Sequence, residues 1–175
     1  MTNVLVVTII ISIFVTLFLN INNDIIKMEV KVKKLNESAV IPAYANPGDA
    51  GLDLTATSYE YNETLDAHVY GTGLAFEIPE GHVGLLFPRS SIRKVDGILT
   101  NHVGVVDSSY RGEVMLTFKN YGTNDGKLRE FYKPYEVGER IAQLLIIPYP
   151  IIQLVEANEL SDTERGESGH GSSGK

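Results

Sequence analysis

The sequence predicts an all-β domain, a distorted jelly roll or β-barrel of short strands that continues into a flexible C-terminal arm. Three observations lead to this fold class. From residue 28 onward, apolar residues recur mostly at every second position. Turn-forming Gly, Pro and Asn residues separate these runs at short intervals, and helical periodicity is nearly absent. Closely spaced short strands of this kind are typical of a barrel or a double-sheet jelly roll.

The chain is expected to consist of three parts, an apolar N-terminal extension (1–27), a β domain (28–160) and an arm (161–175). Residues 4–19 are uncharged and about as long as a short membrane-spanning helix. If they insert, the lysines that follow place the main domain on the cytoplasmic side. We favour the alternative that Met28 is the true start of translation, because the composition changes abruptly there. The expected location is then the cytoplasm.

Each predicted strand is a short run with apolar residues at alternate or consecutive positions. The strand candidates are residues 29–35, 51–56, 72–78, 82–87, 98–103, 113–118 and 140–148, with further pairing at 58–61 and 151–155. Residues 140–148 are apolar at consecutive positions, which indicates a central or interface strand. One helical turn or two is expected at 90–95, where backbone N–H groups would face an anion.

Composition excludes several classes of function. The chain of 175 residues has no cysteine, which rules out disulfides and thiolate metal sites, and its four histidines lack the spacing of metal ligands. Its net charge of −7 argues against a general nucleic-acid binder. A small polyphosphate is compatible with this charge, because a few clustered Arg and backbone N–H groups suffice to bind it.

The stretch Gly104-Val105-Val106-Asp107-Ser108-Ser109-Tyr110-Arg111-Gly112 lies between two apolar runs and predicts a β-hairpin with a carboxylate at its tip. Taken alone, such an Asp is more often a turn former. Four further stretches place donors beside turns or flexible backbone. With the hairpin, the five blocks cover residues 47–54, 88–91, 104–112, 138–143 and 165–174.

In this order, the five blocks resemble the motifs of the trimeric dUTP pyrophosphatase (dUTPase) family, whose fold is the β-clip. The resemblance runs from about Met28 to the C-terminus. It implies hydrolysis of dUTP to dUMP and pyrophosphate with Mg²⁺, which limits the incorporation of uracil into DNA. The Mg²⁺ would be held mainly by substrate phosphates and water, without a direct protein ligand. Family members are homotrimers in which three subunits contribute to each site.

The resemblance implies a role for each matching residue. Asp107 would activate the attacking water, and Tyr110 would pack against the deoxyribose and exclude a 2′-hydroxyl. Asn101 and the hairpin backbone at Gly104 and Val106 would frame the uracil. The remaining candidates would serve the phosphates and the metal shell. They are Asp53 and Arg89, which support the catalytic groups, and Ser90, Ser91, Gln143, Arg165, Gly171, Ser172 and Ser173, which contact phosphate.

One position departs from the family. The closing motif usually has Phe where this chain has His170, and that ring stacks on the uracil when the arm closes. Imidazole can stack as well, but it is smaller and titrates near pH 6.5. Arm closure over the nucleotide is therefore the part of the predicted site that the resemblance supports least.

Two other functions stay open at this point. A dCTP deaminase shares the fold and a comparable Arg-Ser-Ser stretch, and some deaminases also hydrolyse dUTP. A regulatory protein on the same scaffold would instead bind nucleotide and dock on a protein partner. Residues 122–133 form a polar insertion that is the place where such a partner would bind, although we favour the interpretation that they are a plain surface loop.

Overall fold

The structure is a computed structural model that describes residues 28–95, 97–120 and 133–169. Within these residues it contains ten β-strands and one short 3₁₀ helix, which confirms the all-β prediction. The elements are β1 (Lys31–Lys34), β2 (Leu52–Thr55), β3 (Ser58–Asn62), β4 (Ala67–Gly71), β5 (Leu74–Glu77), β6 (His82–Pro88), the 3₁₀ helix (Ser90–Lys94), β7 (Ile98–Leu99), β8 (Gly104–Val106), β9 (Met115–Lys119) and β10 (Arg140–Pro148). The described residues contain no helix long and apolar enough to cross a membrane. The expected anchor at 4–19 lies outside the described residues.

Two four-stranded sheets, both antiparallel throughout, form the body of the domain. One has the order β2-β10-β6-β8 and the other β3-β4-β9-β7, while β1 and β5 pair separately. A single apolar core joins residues of both sheets, including Leu54, Leu86 and Leu144 from the first and Tyr70 and Phe118 from the second. β10 lies between β2 and β6, as its consecutive apolar residues predicted.

The predicted hairpin contains a third strand, β8, between its two arms. Its two arms pair as expected, since Ile98 and Leu99 of β7 face Lys119 and Phe118 of β9. Between the arms, however, the chain leaves this sheet and adds β8 to the edge of the other one. The predicted strand 98–103 therefore ends at Leu99, and His102 takes a left-handed conformation (φ 57°) at the turn. This crossing places the Asp107 block on the edge of the first sheet.

An aromatic cluster fills the outer part of the second sheet. Tyr59, His68 and Tyr70 lie on neighbouring strands, and the Tyr70 ring contacts both Phe118 and Tyr135. The Tyr70 hydroxyl donates to the Tyr135 carbonyl oxygen at 2.8 Å and accepts from the Tyr135 N–H at 3.1 Å. These bonds fix the chain just before β10, where the residues of the fourth block begin.

His68 of this cluster is expected to make the protein less stable in acid. Its ring is buried, with Nδ1 3.1 Å from the Tyr59 hydroxyl. Burial lowers the pKa of His68, while the charge of Asp66 acts in the opposite direction. The unfolded chain therefore takes up this proton first, so the free energy of unfolding falls as the pH drops below about 6.5.

Urea unfolding at about pH 7.5 and pH 5 measures this effect. In His68→Asn, the decrease in stability between the two pH values should be smaller than in the wild-type protein. His82→Asn, at a partly exposed histidine of β6, is the control for the loss of an imidazole. An equal decrease in His68→Asn and the wild-type protein would contradict the prediction.

Candidate active site

The Asp107 block lines a pocket of about 250 Å³ at the free edge of the first sheet. Of the predicted site residues, the structure brings together Asn101, Gly104, Val106, Asp107 and Tyr110 around it. The remaining lining residues are Leu86, Val105, Glu113, Val114 and Met115. Among the described residues, β8 pairs with β6 on one side only, so its other edge offers backbone N–H and C=O groups to a ligand. The pocket therefore combines a polar backbone edge, an aromatic ring and a carboxylate.

Gly104 of β8 pairs with Leu86 of β6 and packs tightly against it. A Cβ atom at this position would lie 3.0 Å from Leu86 Cβ and 3.2 Å from Asn101 Nδ2. Glycine lets the backbone approach Leu86 and leaves room for the Asn101 side chain. The glycine at the start of the hairpin block therefore has a packing role that sets the shape of the pocket.

Asp107 and Tyr110 belong to a tight turn. The Tyr110 N–H donates to the Asp107 carbonyl oxygen at 3.0 Å, and the Tyr110 hydroxyl donates to the Glu113 carbonyl oxygen at 3.0 Å. The phenol ring is thereby fixed against Gly112, and it lines the same pocket as Asp107. An aromatic wall beside a carboxylate can hold a flat or ring-shaped ligand against the acid.

A second group of predicted residues surrounds Asp53 at the other edge of the same sheet. The Arg89 side chain donates from Nε to Asp53 Oδ1 at 2.7 Å and from Nη2 to Oδ2 at 3.3 Å. Arg140 Nη1 donates to Oδ2 at 2.9 Å, and Gln143 Nε2 donates to Oδ1 at 3.4 Å. Asp53 is buried, so its charge is neutralised by two guanidinium groups instead of water.

The Asp53 cluster and the hairpin pocket do not meet within one chain. Asp53 lies on β2 and Asp107 follows β8, which are the opposite edge strands of the four-stranded sheet. Three strand spacings separate these edges by roughly 14 Å. One chain therefore presents two separate halves of the predicted site.

The two serines of the second block face different surroundings. Ser90 is exposed at the start of the 3₁₀ helix, whereas the Ser91 hydroxyl is buried and lies by the Tyr135 hydroxyl. Burial raises the pKa of Tyr135, while Ser91 and the charge of Arg89 lower it to a smaller extent. Of the two hydroxyls, only that of Ser90 is presented to a ligand.

Arg165 lies in the exposed arm, away from both groups. Its Nε donates to the Ser168 carbonyl oxygen at 3.0 Å, and the Gly166 N–H donates to the Thr163 carbonyl oxygen at 3.0 Å. The other predicted arm residues, His170, Gly171, Ser172 and Ser173, lie outside the described part of the chain. So does the insertion at 122–133, apart from Lys133.

The described residues include no group of three acidic or histidine side chains that could hold a metal ion. Both Asp53 oxygens already accept hydrogen bonds from Arg89 and Arg140. Asp53 in this donor set is suited to the outer shell of a metal that is carried by a ligand's own oxygens and water.

The sequence of this chain matches a known protein family. Residues 37–174 match the family model described as dUTPase. The chain belongs to the dUTPase family. Curated dUTPases align over nearly their whole length. The deoxyuridine 5′-triphosphate nucleotidohydrolase of Nautilia profundicola is 40% identical over 149 residues, covering 85% of this chain and all of the relative. That of Clostridium kluyveri is 36% identical over 148 residues, covering 84% and 99%.

Solved dUTPases share the fold as well. A variant of the Staphylococcus bacteriophage 80alpha dUTPase with dUpNHpp superposes with a TM-score of 0.71 at 32% identity, over 85% of this chain and all of that one. A variant dUTPase of phage phi11 of S. aureus, described with a structural Mg(II) ion, gives 0.61 at 26% identity over 75% and 98%. The β-clip fold expected from the sequence is thereby confirmed.

Sequence reasoning did not single out three residues of this dUTPase that border the predicted groups. Arg140 pairs with Asp53, and Glu113 and Met115 line the hairpin pocket. For Arg140 a signal was available, since it opens the apolar run that also carries Gln143. Glu113 and Met115 follow the hairpin block on an alternating strand, where nothing in the pattern distinguishes a pocket residue from a surface residue.

Proposed function

We propose that this dUTPase hydrolyses dUTP to dUMP and pyrophosphate and so limits the entry of uracil into DNA. The observation that carries the proposal is the hairpin pocket, which places the Asp107 carboxylate, the Tyr110 ring and a free strand edge around one cavity. Each of these features matches one need of the reaction, namely a base for water, a surface for the sugar and fixed partners for the uracil.

Asp107 would act as the general base. Its carboxylate accepts a proton from a water molecule, the water oxygen forms a bond to the α-phosphorus, and the bond from that phosphorus to the α–β bridging oxygen breaks. Pyrophosphate leaves with the electron pair of the broken bond. Because Asp107 is exposed at the pocket, substrate and water can both reach it.

Selection of base and sugar would take place at β8 and Tyr110. The open edge at Gly104 to Val106 offers a fixed pattern of donors and acceptors, and a mismatched group costs about 1–3 kcal/mol. Two mismatches are enough to exclude cytosine by orders of magnitude. Asn101 lies against Gly104 and would complete the frame, while Tyr110 would leave no room for a 2′-hydroxyl.

The triphosphate would be held by Ser90, Gln143 and Arg165, with Gly171, Ser172 and Ser173 closing from the arm and His170 stacking on the base. Ser90 is exposed, which suits contact with phosphate, and the buried Ser91 hydroxyl would help through its position in the turn. Mg²⁺ bound to the phosphates would neutralise charge that develops on the phosphoryl oxygens. Asp53 and Arg89 would hold the framework beneath these contacts.

A homotrimer with shared sites would unite the two halves. In the single chain, the hairpin pocket and the Asp53 cluster lie on opposite edges of a sheet. In addition, the segment after β10 exposes Ile151, Ile152, Leu154 and Val155 to solvent, an apolar run of the kind that subunit interfaces cover. Sedimentation should give the mass of three chains at assay concentration, and a monomer with full activity would contradict shared sites.

The direct test is release of pyrophosphate from dUTP, dCTP, dTTP and UTP in the presence of Mg²⁺. Rapid release from dUTP alone is expected. Deamination of dCTP would favour the deaminase alternative, and the absence of any release by folded protein would leave a nucleotide-binding role. Adding EDTA should slow the reaction if Mg²⁺ takes part.

A further inference from the structure

The Asp107 side chain is not held in place by a hydrogen bond or an ion pair from the described part of the chain, and the residue is exposed. A base must be held close to its productive geometry, since a displacement of about 1 Å can cost on the order of 100-fold in rate. The position of this carboxylate therefore depends on how firmly the backbone around it is held.

The Arg111 side chain forms hydrogen bonds with the backbone of the turn that follows Asp107. Its Nη1 donates to the Ser108 carbonyl oxygen at 2.6 Å and to the Tyr110 carbonyl oxygen at 2.9 Å. These two carbonyl groups belong to the turn that is formed by residues 107–110. With the bond from the Tyr110 N–H to the Asp107 carbonyl oxygen, the guanidinium closes residues 107–111 into a compact unit, named here the catalytic loop.

Glu77 on β5 lines the same groove as Arg111 and is paired with Lys31. Lys31 lines this groove as well, and its Nζ donates to Glu77 Oε1 at 3.0 Å. The bond from Lys31 lowers the pKa of Glu77, and the charge of Arg111 lowers it further. A carboxylate on a paired strand thus places a negative charge in the groove that the loop arginine lines.

We propose that Arg111 is a positioning residue that orients Asp107 through the backbone of the catalytic loop, and that the negative charge of Glu77 on β5 anchors Arg111 across the groove. This inference rests on the proposed dUTP hydrolysis. Arg111 does not contact the reacting atoms in this arrangement, because it does not line the hairpin pocket and its bonds go to carbonyl groups of the loop. Its contribution is to hold the loop in the geometry that the reaction uses.

The test compares the wild-type protein with Arg111→Ala, Arg111→Lys and Lys33→Ala. Two quantities are measured, kcat for dUTP and the dissociation constant for the non-hydrolysable analogue dUpNHpp. Arg111→Ala should lower kcat by about 10- to 100-fold, while the dissociation constant changes by less than about threefold, because the β8 edge remains in place. Arg111→Lys keeps one donor group and should recover part of the loss.

Lys33→Ala is the control. It removes a charge from the same groove without breaking a bond to the loop, and it should behave like the wild-type protein.

The outcomes separate this inference from the proposed function. A wild-type protein that does not hydrolyse dUTP would refute the function itself. An active wild-type protein with equal kcat in Arg111→Ala would overturn the positioning role, and so would an equal loss in kcat and affinity. If Arg111→Ala does not fold, Arg111→Lys decides the question, since a kcat identical to that of the wild-type protein would contradict the role.

Glu77→Gln tests the anchor. It should lower kcat a few-fold in the wild-type background and have no further effect once Arg111 is Ala, because both changes remove the same support. Losses that multiply in the double variant would show that Glu77 acts independently of Arg111, and this part of the proposal would then be wrong.

Discussion

Replacing Asp107 by Asn is expected to lower kcat for dUTP by about 10³-fold, the range in which a positioned general base contributes. The amide has nearly the same shape as the carboxylate but cannot take a proton from water. Because the Asp107 side chain makes no bond to the described residues, the change should leave the fold and the affinity for dUpNHpp nearly unaltered. Pyrophosphate release and binding of dUpNHpp measure the two effects separately.

Asp66→Asn is the matched control. Asp66 takes a left-handed conformation (φ 49°), which Asn also tolerates, and it lies on the turn before β4, outside the hairpin pocket. Its kcat should equal that of the wild-type protein. A folded Asp107→Asn variant with at least a tenth of wild-type activity would remove Asp107 from the role of base.

Replacing Asp53 by Asn should cost about 2–3 kcal/mol of folding free energy, since it leaves two guanidinium groups without their carboxylate. The Asp53 side chain is 8% exposed and that of Arg89 is 24% exposed, so water replaces the lost partner only in part. The variant should also lose activity, because Arg89 and Gln143 are oriented by the same carboxylate. Urea unfolding at neutral pH measures the change in stability.

Arg140→Gln gives the comparison within the same cluster. The Arg140 side chain is 53% exposed, and an ion pair open to solvent contributes at most about 1 kcal/mol. The loss in Arg140→Gln should therefore be clearly smaller than that in Asp53→Asn. If the two variants lose the same stability, burial of the Asp53 charge is not the cause.

Strand positions followed from the sequence where the apolar pattern was strong. The prediction for β10 matches the observed bounds, because a nine-residue run with apolar residues at consecutive positions favours a central or interface strand. β4 was missed, since its sequence Ala-His-Val-Tyr-Gly has neither clear alternation nor a long apolar run. The apolar segment 151–155 is exposed and forms no strand here, because strand formation needs a pairing partner that local sequence does not specify.

The residues of the site could largely be predicted from the sequence, but the contacts between distant parts of the chain could not. Asn101, Gly104, Asp107 and Tyr110 share a pocket as expected, because all belong to one continuous stretch of chain. The contact between Arg140 and Asp53 was not predicted, because the two residues are 87 positions apart in the sequence. The passage of the chain from β7 to β8 across the two sheets is a long-range effect of pairing with β6, which no local pattern reveals.

The open edge of β8 also bears on how readily the protein could escape an inhibitor. A compound that hydrogen-bonds to this edge would contact backbone atoms that every residue possesses, so side-chain substitutions would do little to weaken it. The position where a substitution would matter most is Gly104, and there any added Cβ would crowd Leu86 and Asn101. Resistance would therefore have to arise at other positions, because a substitution at Gly104 disturbs the packing that shapes the pocket.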